Sequence, residues 1–432
     1  MSLVTIIRSR VPADGLAAES SWGLGVEVTM LVGSVLSFTA LGRTLGPAGY
    51  GTYAVLYAII GPLVTLASSG VTLALLQHVI RDQEPIGETA RSCLSLALVF
   101  GAALTAIGLA AALLLVASLG VLAIAAILVT EFVTMAAIQV AAATAQASTG
   151  FADAAKIRML IFGLRIVVLS ALFASDTLSV ASLGVSMLAV SAAFSVLALR
   201  AVGRRVGVRF TPGAIRWPHL RTNLIYSAAI TADGVGNEGD KLVLAANNLI
   251  VDTGLYAAAY RIIQLGHIPV AGVIQATHTR FLQDDEGRLG EHLTRAVRFG
   301  TFGLGYGVIV WFGAYTLAPV LPTILGAEFD GSVSMMRWLA PIVLLRAVGA
   351  CAINALMGLG RTGLRTILIV TNAVLAMALY LALIPRYGWE GAAIGTLLGE
   401  ALSVLANWTA LIVCQHRRDR DLVLASEEVV PG

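Results

Sequence analysis

The chain is short of charge, of cysteine and of recognisable catalytic motifs, and each shortage excludes something. Only 12% of its 432 residues are Asp, Glu, Lys or Arg, 58% are hydrophobic, and the mean hydropathy is +0.86. A soluble domain carries roughly 25% charged residues. Half that charge cannot coat a water-exposed globule, so an ordinary soluble enzyme is excluded and a polytopic membrane chain is expected. Cys93, Cys351 and Cys414 stand apart, each inside or beside an apolar run, with no Cys-x-x-Cys and no disulfide framework. There is no His-x-x-Glu-His and no His/Cys cluster. No catalytic or structural metal and no cofactor is therefore expected beyond a coupling proton or sodium ion. A P-loop and a large outer domain are missing too. Their absence argues against direct use of ATP and against a membrane glycosyltransferase, so the chain is not expected to be an enzyme or to bind nucleic acid.

What is present is a series of long apolar runs. A helix needs about 20 mostly apolar residues to cross a bilayer. Turn signals divide the chain into about twelve such spans. They lie near 22–42, 50–77, 91–117, 120–147, 156–175, 178–200, 222–248, 254–281, 294–324, 331–358, 362–384 and 390–414. Met1–Arg10 places its arginines after its apolar stretch, which is not the order of a signal peptide, and reads as a short interfacial helix. Of the 28 Lys and Arg, 21 fall on one side of these spans, three on the other and four inside them. Positive charge stays cytoplasmic, so both termini are expected inside. The organisation that follows is an N-terminal segment 1–21, a six-helix bundle 22–200, a basic linker 201–221, a second six-helix bundle 222–414 and a tail 415–432.

The two halves repeat. A shift of 203 residues lays Gly51-Thr52-Tyr53-Ala54 and Tyr57 on Gly254-Leu255-Tyr256-Ala257 and Tyr260, and Gly33 on Gly236. Six spans separate equivalent points, so the copies share one orientation. The fold class is thus all-α and polytopic, with two pseudo-symmetric bundles around a central cavity.

Ionisable groups inside spans cost roughly 2.5–3.5 kcal/mol each and mark candidate sites. The seventh span carries Asp233, Asn237, Glu238, Asp240 and Lys241. Asp233, Asn237 and Asp240 share one helix face, and the repeat places Glu27 of the first span one turn from the equivalent face. Asp233, Glu27, Asn237 and Asp240 are candidates for ion coupling; the alternative for Asp240 and Lys241 is an internal ion pair that braces the helix. The eighth span has a polar stripe of Tyr256, Tyr260, Gln264, His267, Gln275 and His278, with Arg261 beside it. Rings flanked by hydrogen-bonding groups suit sugars, and a guanidinium suits phosphate. Helix–helix packing is the alternative, and the better one for the two histidines. Glu131 and Arg165 read as a structural pair, and Arg346 as a secondary anion contact.

Three stretches carry a family resemblance. They are Leu41-Gly42-Arg43-Thr44-Leu45-Gly46-Pro47-Ala48-Gly49-Tyr50-Gly51, then Gly239-Asp240-Lys241-Leu242 followed by Asp252-Thr253-Gly254-Leu255-Tyr256, and Ile384-Pro385-Arg386-Tyr387-Gly388-Trp389-Glu390-Gly391. In order and spacing they resemble the polysaccharide and oligosaccharide flippases of the multidrug/oligosaccharidyl-lipid/polysaccharide exporter superfamily. The resemblance implies alternating-access transport of a polyprenyl-diphosphate-linked oligosaccharide across the bacterial inner membrane. It also implies association with a polysaccharide polymerase or glycosyltransferases. On that reading Arg261 and Lys241 meet the diphosphate, and Tyr53, Tyr57, Tyr256, Tyr260 and Gln264 the sugars. The lipid II flippases are similar but add two C-terminal helices. The multidrug and toxin extrusion proteins, cation-coupled antiporters, are the main alternative.

Overall fold

A computed structural model describes residues 13–282 and 291–428, so the expected interfacial helix at Met1–Arg10 lies outside the described residues. The described residues are helical throughout, with short turns: α1 (Ala13–Ala67), α2 (Ser69–Leu76), α3 (Ile86–Leu115), α4 (Val121–Val129), α5 (Met135–Ser148), α6 (Phe151–Ala174), α7 (Val180–Val206), α8 (Trp217–Ala246), α9 (Ile250–Leu282), α10 (Glu291–Leu317), α11 (Val320–Leu325), α12 (Ser332–Leu339), α13 (Ile342–Gly358) and α14 (Thr362–Glu428). Eight helical stretches among these residues are long and apolar enough to cross a membrane.

Two of the eight, Gly25–Arg81 and Thr362–Arg420, run 57 and 59 residues. At 1.5 Å per residue each is close to three times the length a bilayer core of about 30 Å requires. Each contains a left-handed glycine, Gly46 (φ 61°) in the first and Gly388 (φ 57°) in the second. That left-handed backbone is closed to most residues and open to glycine, so the chain reverses where the sequence supplies one. The expected outer turns after 22–42 and after 362–384 are these two points. The expected span 331–358 is divided at Ala340–Pro341 into α12 and α13, because proline offers no N–H to continue the ladder. The expected tail from 415 is helical as far as Glu428, continuous with α14. The helices α8 and α9 have the length of spans, 30 and 33 residues, yet are not among the eight. In α8 the reason is plain: Asp233, Glu238, Asp240 and Lys241 lower its hydropathy.

The chain divides into two compact units. One holds residues up to Leu45 and Val55–Thr231; the other holds Gly46–Ala54 and everything from Ala232. In the first unit α5, α6 and α7 meet through small side chains, with Ala141, Ala145, Ala198 and Val202 packed together and Met135, Ile138 and Ile161 beside them. The second has a matching cluster of Ala296, Ala352, Ala355, Leu356 and Leu411. Meanwhile Leu114, Leu122, Ile309 and Phe312 stand 87%, 77%, 71% and 70% exposed. Small residues inside and large apolar ones outside is the arrangement expected when the solvent is lipid, since helices in a bilayer gain by close approach rather than by hiding apolar surface. This is a multi-pass membrane protein.

Within the first unit the basic segment between α7 and α8 lies against α3. Arg91 Nε donates to the Arg209 carbonyl at 3.1 Å, the Ser95 hydroxyl donates to the Gly213 carbonyl at 2.8 Å, and the Arg216 N–H donates to Ser92 Oγ at 3.1 Å. These bonds fix where α8 begins.

Candidate functional site

Burying an arginine in an apolar bundle is costly unless a carboxylate compensates it. The second unit does this around Arg346 of α13. Its Nε donates to Glu400 Oε1 at 2.6 Å, and a terminal nitrogen donates to the Tyr260 hydroxyl at 2.7 Å and to Asn237 Oδ1. Asn237 Nδ2 in turn donates to Asp233 Oδ2 at 3.0 Å. The Asn237 amide is thereby oriented: its oxygen faces the cation and its NH2 faces the carboxylate, whereas the flipped amide would set like against like on both sides. The result is a relay, Glu400–Arg346–Asn237–Asp233, drawn from α14, α13 and α8.

This relay borders a cavity of about 330 Å³ lined by Asp233, Asn237, His267, Asn372, Thr396 and Glu400 among others. Asp233 is solvent-accessible. Asn372 Oδ1 and His267 Nδ1 are buried polar atoms with no hydrogen bond. An amide oxygen and an imidazole nitrogen without hydrogen bonds, beside an accessible carboxylate, form a polar set suited to a proton or a small cation.

A second cluster adjoins it. Lys241 Nζ lies 2.8 Å from Glu238 Oε2 and 3.4 Å from Asp240 Oδ1, and sits 4.2 Å over the Tyr260 ring. The local ion pair weighed for Asp240 and Lys241 is therefore formed, with Asp240 fully buried and its Oδ2 without a hydrogen bond. Tyr260 stands between two cations, since the Arg346 guanidinium is 5.7 Å from the same ring. Tyr256 is stacked on Tyr260 at 6.2 Å, and its hydroxyl shares Thr396 Oγ1 with that of Tyr380, each at 3.2 Å.

The expected site residues thus occupy different settings. Tyr256 and Tyr260 are 0% and 1% exposed and belong to the packing around Arg346. Arg261 is exposed and Gln264 half-buried on the same helix. Tyr53 is half-buried and tilted against Tyr50 at 6.2 Å. In the first unit Tyr57 donates to Glu131 Oε1 at 3.0 Å, and Glu131 pairs with Arg165, as read for those two. Glu27 is exposed on α1. The side chains of Gln275 and His278 lie outside the described residues. Sequence reading missed Glu400, Asn372 and Thr396 as cavity residues. A pairing rule, that every charge within a span needs an opposite one, is the signal that joins Arg346 to Glu400. It also missed His78, Glu84 and His219, which the first unit brings together.

A model of the polysaccharide biosynthesis protein family matches residues 40–334. The chain belongs to that family. It is a multi-pass membrane protein of a polysaccharide biosynthesis family, and its fold is that of solved MATE family transporters. An inward-facing multidrug resistance MATE family transporter is 17% identical, with 94% of this chain and 99% of that chain covered and a TM-score of 0.73. The outward-facing conformation of such a transporter is 17% identical over 94% and 96% of the two chains, with a TM-score of 0.64. A MATE structure in a bent conformation is 18% identical over 95% and 97%, with a TM-score of 0.58. At these identities the likeness is one of fold. No curated protein matches the chain.

Proposed function

We propose that this protein is a transporter that moves a polyprenyl-diphosphate-linked oligosaccharide from the cytoplasmic to the outer leaflet of the bacterial inner membrane. The observation that carries the reading is the family match across two thirds of a chain whose bundles bury an Arg346-centred polar network in lipid-facing surroundings. Counting the two broken helices as two spans each, and adding α8 and α9, raises the eight apolar stretches to the twelve expected; an even number keeps both termini on one side, which the positive-charge bias assigns to the cytoplasm. Boundaries at 22–200 and 222–414 suit those bundles.

Arg261 is the proposed anchor for the diphosphate, because an exposed guanidinium can form two parallel bonds to phosphate oxygens. Lys241 contributes positive potential nearby, and Tyr53, Tyr57 and Gln264 offer polar contacts to sugars. The polyprenyl tail stays in lipid while access alternates. The Asp233 cavity is the proposed coupling site, with Asn237, Asp240 and Glu27 as further acidic or polar candidates. An ion crossing the membrane potential supplies about 2.3 kcal/mol per charge per 100 mV.

Arg261→Ala is expected to abolish surface-glycan export in a deletion strain while protein levels in the membrane hold steady. Full export by that variant removes Arg261 from the site. Asp233→Asn is expected to flatten the dependence of transport on proton or sodium gradient in proteoliposomes; an unchanged dependence assigns Asp233 to structure alone. A cation-coupled drug antiporter is the second reading, favoured by the acidic residues of α8. It expects drug sensitivity rather than glycan loss on deletion.

A further inference from the structure

Away from the Arg346 cavity, the first unit assembles two histidines and two carboxylates that transport as proposed does not use. After α2 the chain makes one π turn, Gln77–Arg81, which sets His78 and Asp82 on one side. Gln83 then takes a positive φ of 58°, and the Glu84 N–H donates back to the His78 carbonyl at 2.9 Å. Glu84 is returned over His78. The third partner, His219, comes from the first turn of α8, held in place by the bonds from the preceding basic segment to α3.

The distances match the spacing of ligands around one small cation. His78 Nδ1 lies 3.1 Å from Asp82 Oδ2 and 3.2 Å from Glu84 Oε1, and His219 Nε2 lies 3.0 Å from Glu84 Oε2. The ligand atoms of His78, Glu84 and His219 are all within 4.8 Å of one another. Tetrahedral zinc with bonds of about 2.0–2.1 Å spaces its ligands roughly 3.4 Å apart. His78 and His219 are 6% and 0% exposed. Although two carboxylates flank it, His78 Nδ1 is buried and makes no bond of hydrogen-bond geometry to either.

The outer nitrogens are supported. His219 Nδ1 is 2.9 Å from Ser92 Oγ, and His78 Nε2 is 3.2 Å from Thr222 Oγ1. A metal-bound imidazole needs such a partner for its other nitrogen, which sets the tautomer and aims the lone pair inward.

We propose that His78, Glu84 and His219, completed by Asp82, bind a zinc-class dication at the root of α8. Two imidazoles with carboxylates favour zinc over calcium or magnesium. Other charges also face the site. Arg216 Nη1 is 3.5 Å from Glu84 Oε2, and its other terminal nitrogen pairs with Glu88. That guanidinium competes for Glu84 and weakens the site to a regulatory rather than a permanent one. Occupancy ties the turn after α2 to the start of the helix that carries Asp233 and Asn237, two points far apart in sequence.

The full-length protein, purified in detergent and stripped with a chelator, is titrated with zinc chloride against a chromophoric competitor, and metal content is measured after dialysis. One zinc per chain and a zinc-dependent rise in melting temperature are expected. His78→Gln, His219→Gln and the shape-preserving Glu84→Gln each weaken binding at least tenfold, while His416→Gln, an exposed histidine elsewhere, leaves it unchanged. Arg216→Gln tightens it. The proposal is overturned if the unaltered protein takes up no stoichiometric zinc, or if Glu84→Gln and His78→Gln bind it as tightly as the parent.

Discussion

Arg346→Ala destabilises the second unit by about 3–5 kcal/mol, the range seen when one partner of a buried ion pair is removed. The cost has three sources. Glu400, itself largely buried, loses its counter-ion at 2.6 Å. The Tyr260 hydroxyl and Asn237 Oδ1 lose the donor they share, and an unsatisfied buried polar atom costs about 1–3 kcal/mol. Asn237 is then free to rotate and releases Asp233. The double variant Arg346→Met with Glu400→Gln recovers much of the stability, because neither charge is left stranded. It does not recover transport, because the relay to Asp233 stays broken. Thermal unfolding in detergent measures the first effect and glycan export the second. A single variant that melts like the parent refutes the reading of Arg346 as the centre of the unit.

Gly254→Val or Gly51→Val prevents assembly of the second unit. At this crossing α1 and α9 touch backbone to backbone: a Cβ on Gly51 would overlap the Ile250 carbonyl oxygen, and one on Gly254 the Pro47 carbonyl oxygen. Ordinary overpacking costs about 1–3 kcal/mol because a side chain can move aside. A helical carbonyl cannot, so the helices must separate and take Tyr50, packed edge-on against Phe329 at 6.2 Å, with them. The expected outcome is loss of monodisperse protein on size exclusion for either variant. A well-folded Gly51→Val protein with unchanged melting temperature contradicts it. These two glycines are the positions that the 203-residue repeat aligns.

Much of this was legible beforehand, and particular residues show why. The spans follow from hydropathy, which is local. The breaks at Gly46 and Gly388 fall in turns marked by Gly-Pro and Gly-Trp, because only glycine takes the backbone needed there. Glu131 and Arg165 were readable as partners since each charge within a span requires one. The stripe on α9 was readable as a polar face, but not its burial: Tyr256 and Tyr260 look alike in sequence whether they line an aqueous cleft or pack around an arginine, and their environment comes from α13 and α14.

By itself, then, the sequence determined the solvent, the long apolar helices, and which few charges break the apolar pattern. Those properties depend on composition and on spacing along one helix. The tertiary structure alone decided the partners. Arg346 finds Glu400, Asn237 and Tyr260 across three other helices, and His78 finds His219 from the far end of a long intervening chain. Pairing energy depends on separation in space and falls within a few ångströms. No periodicity along the chain encodes that distance until the helices have packed.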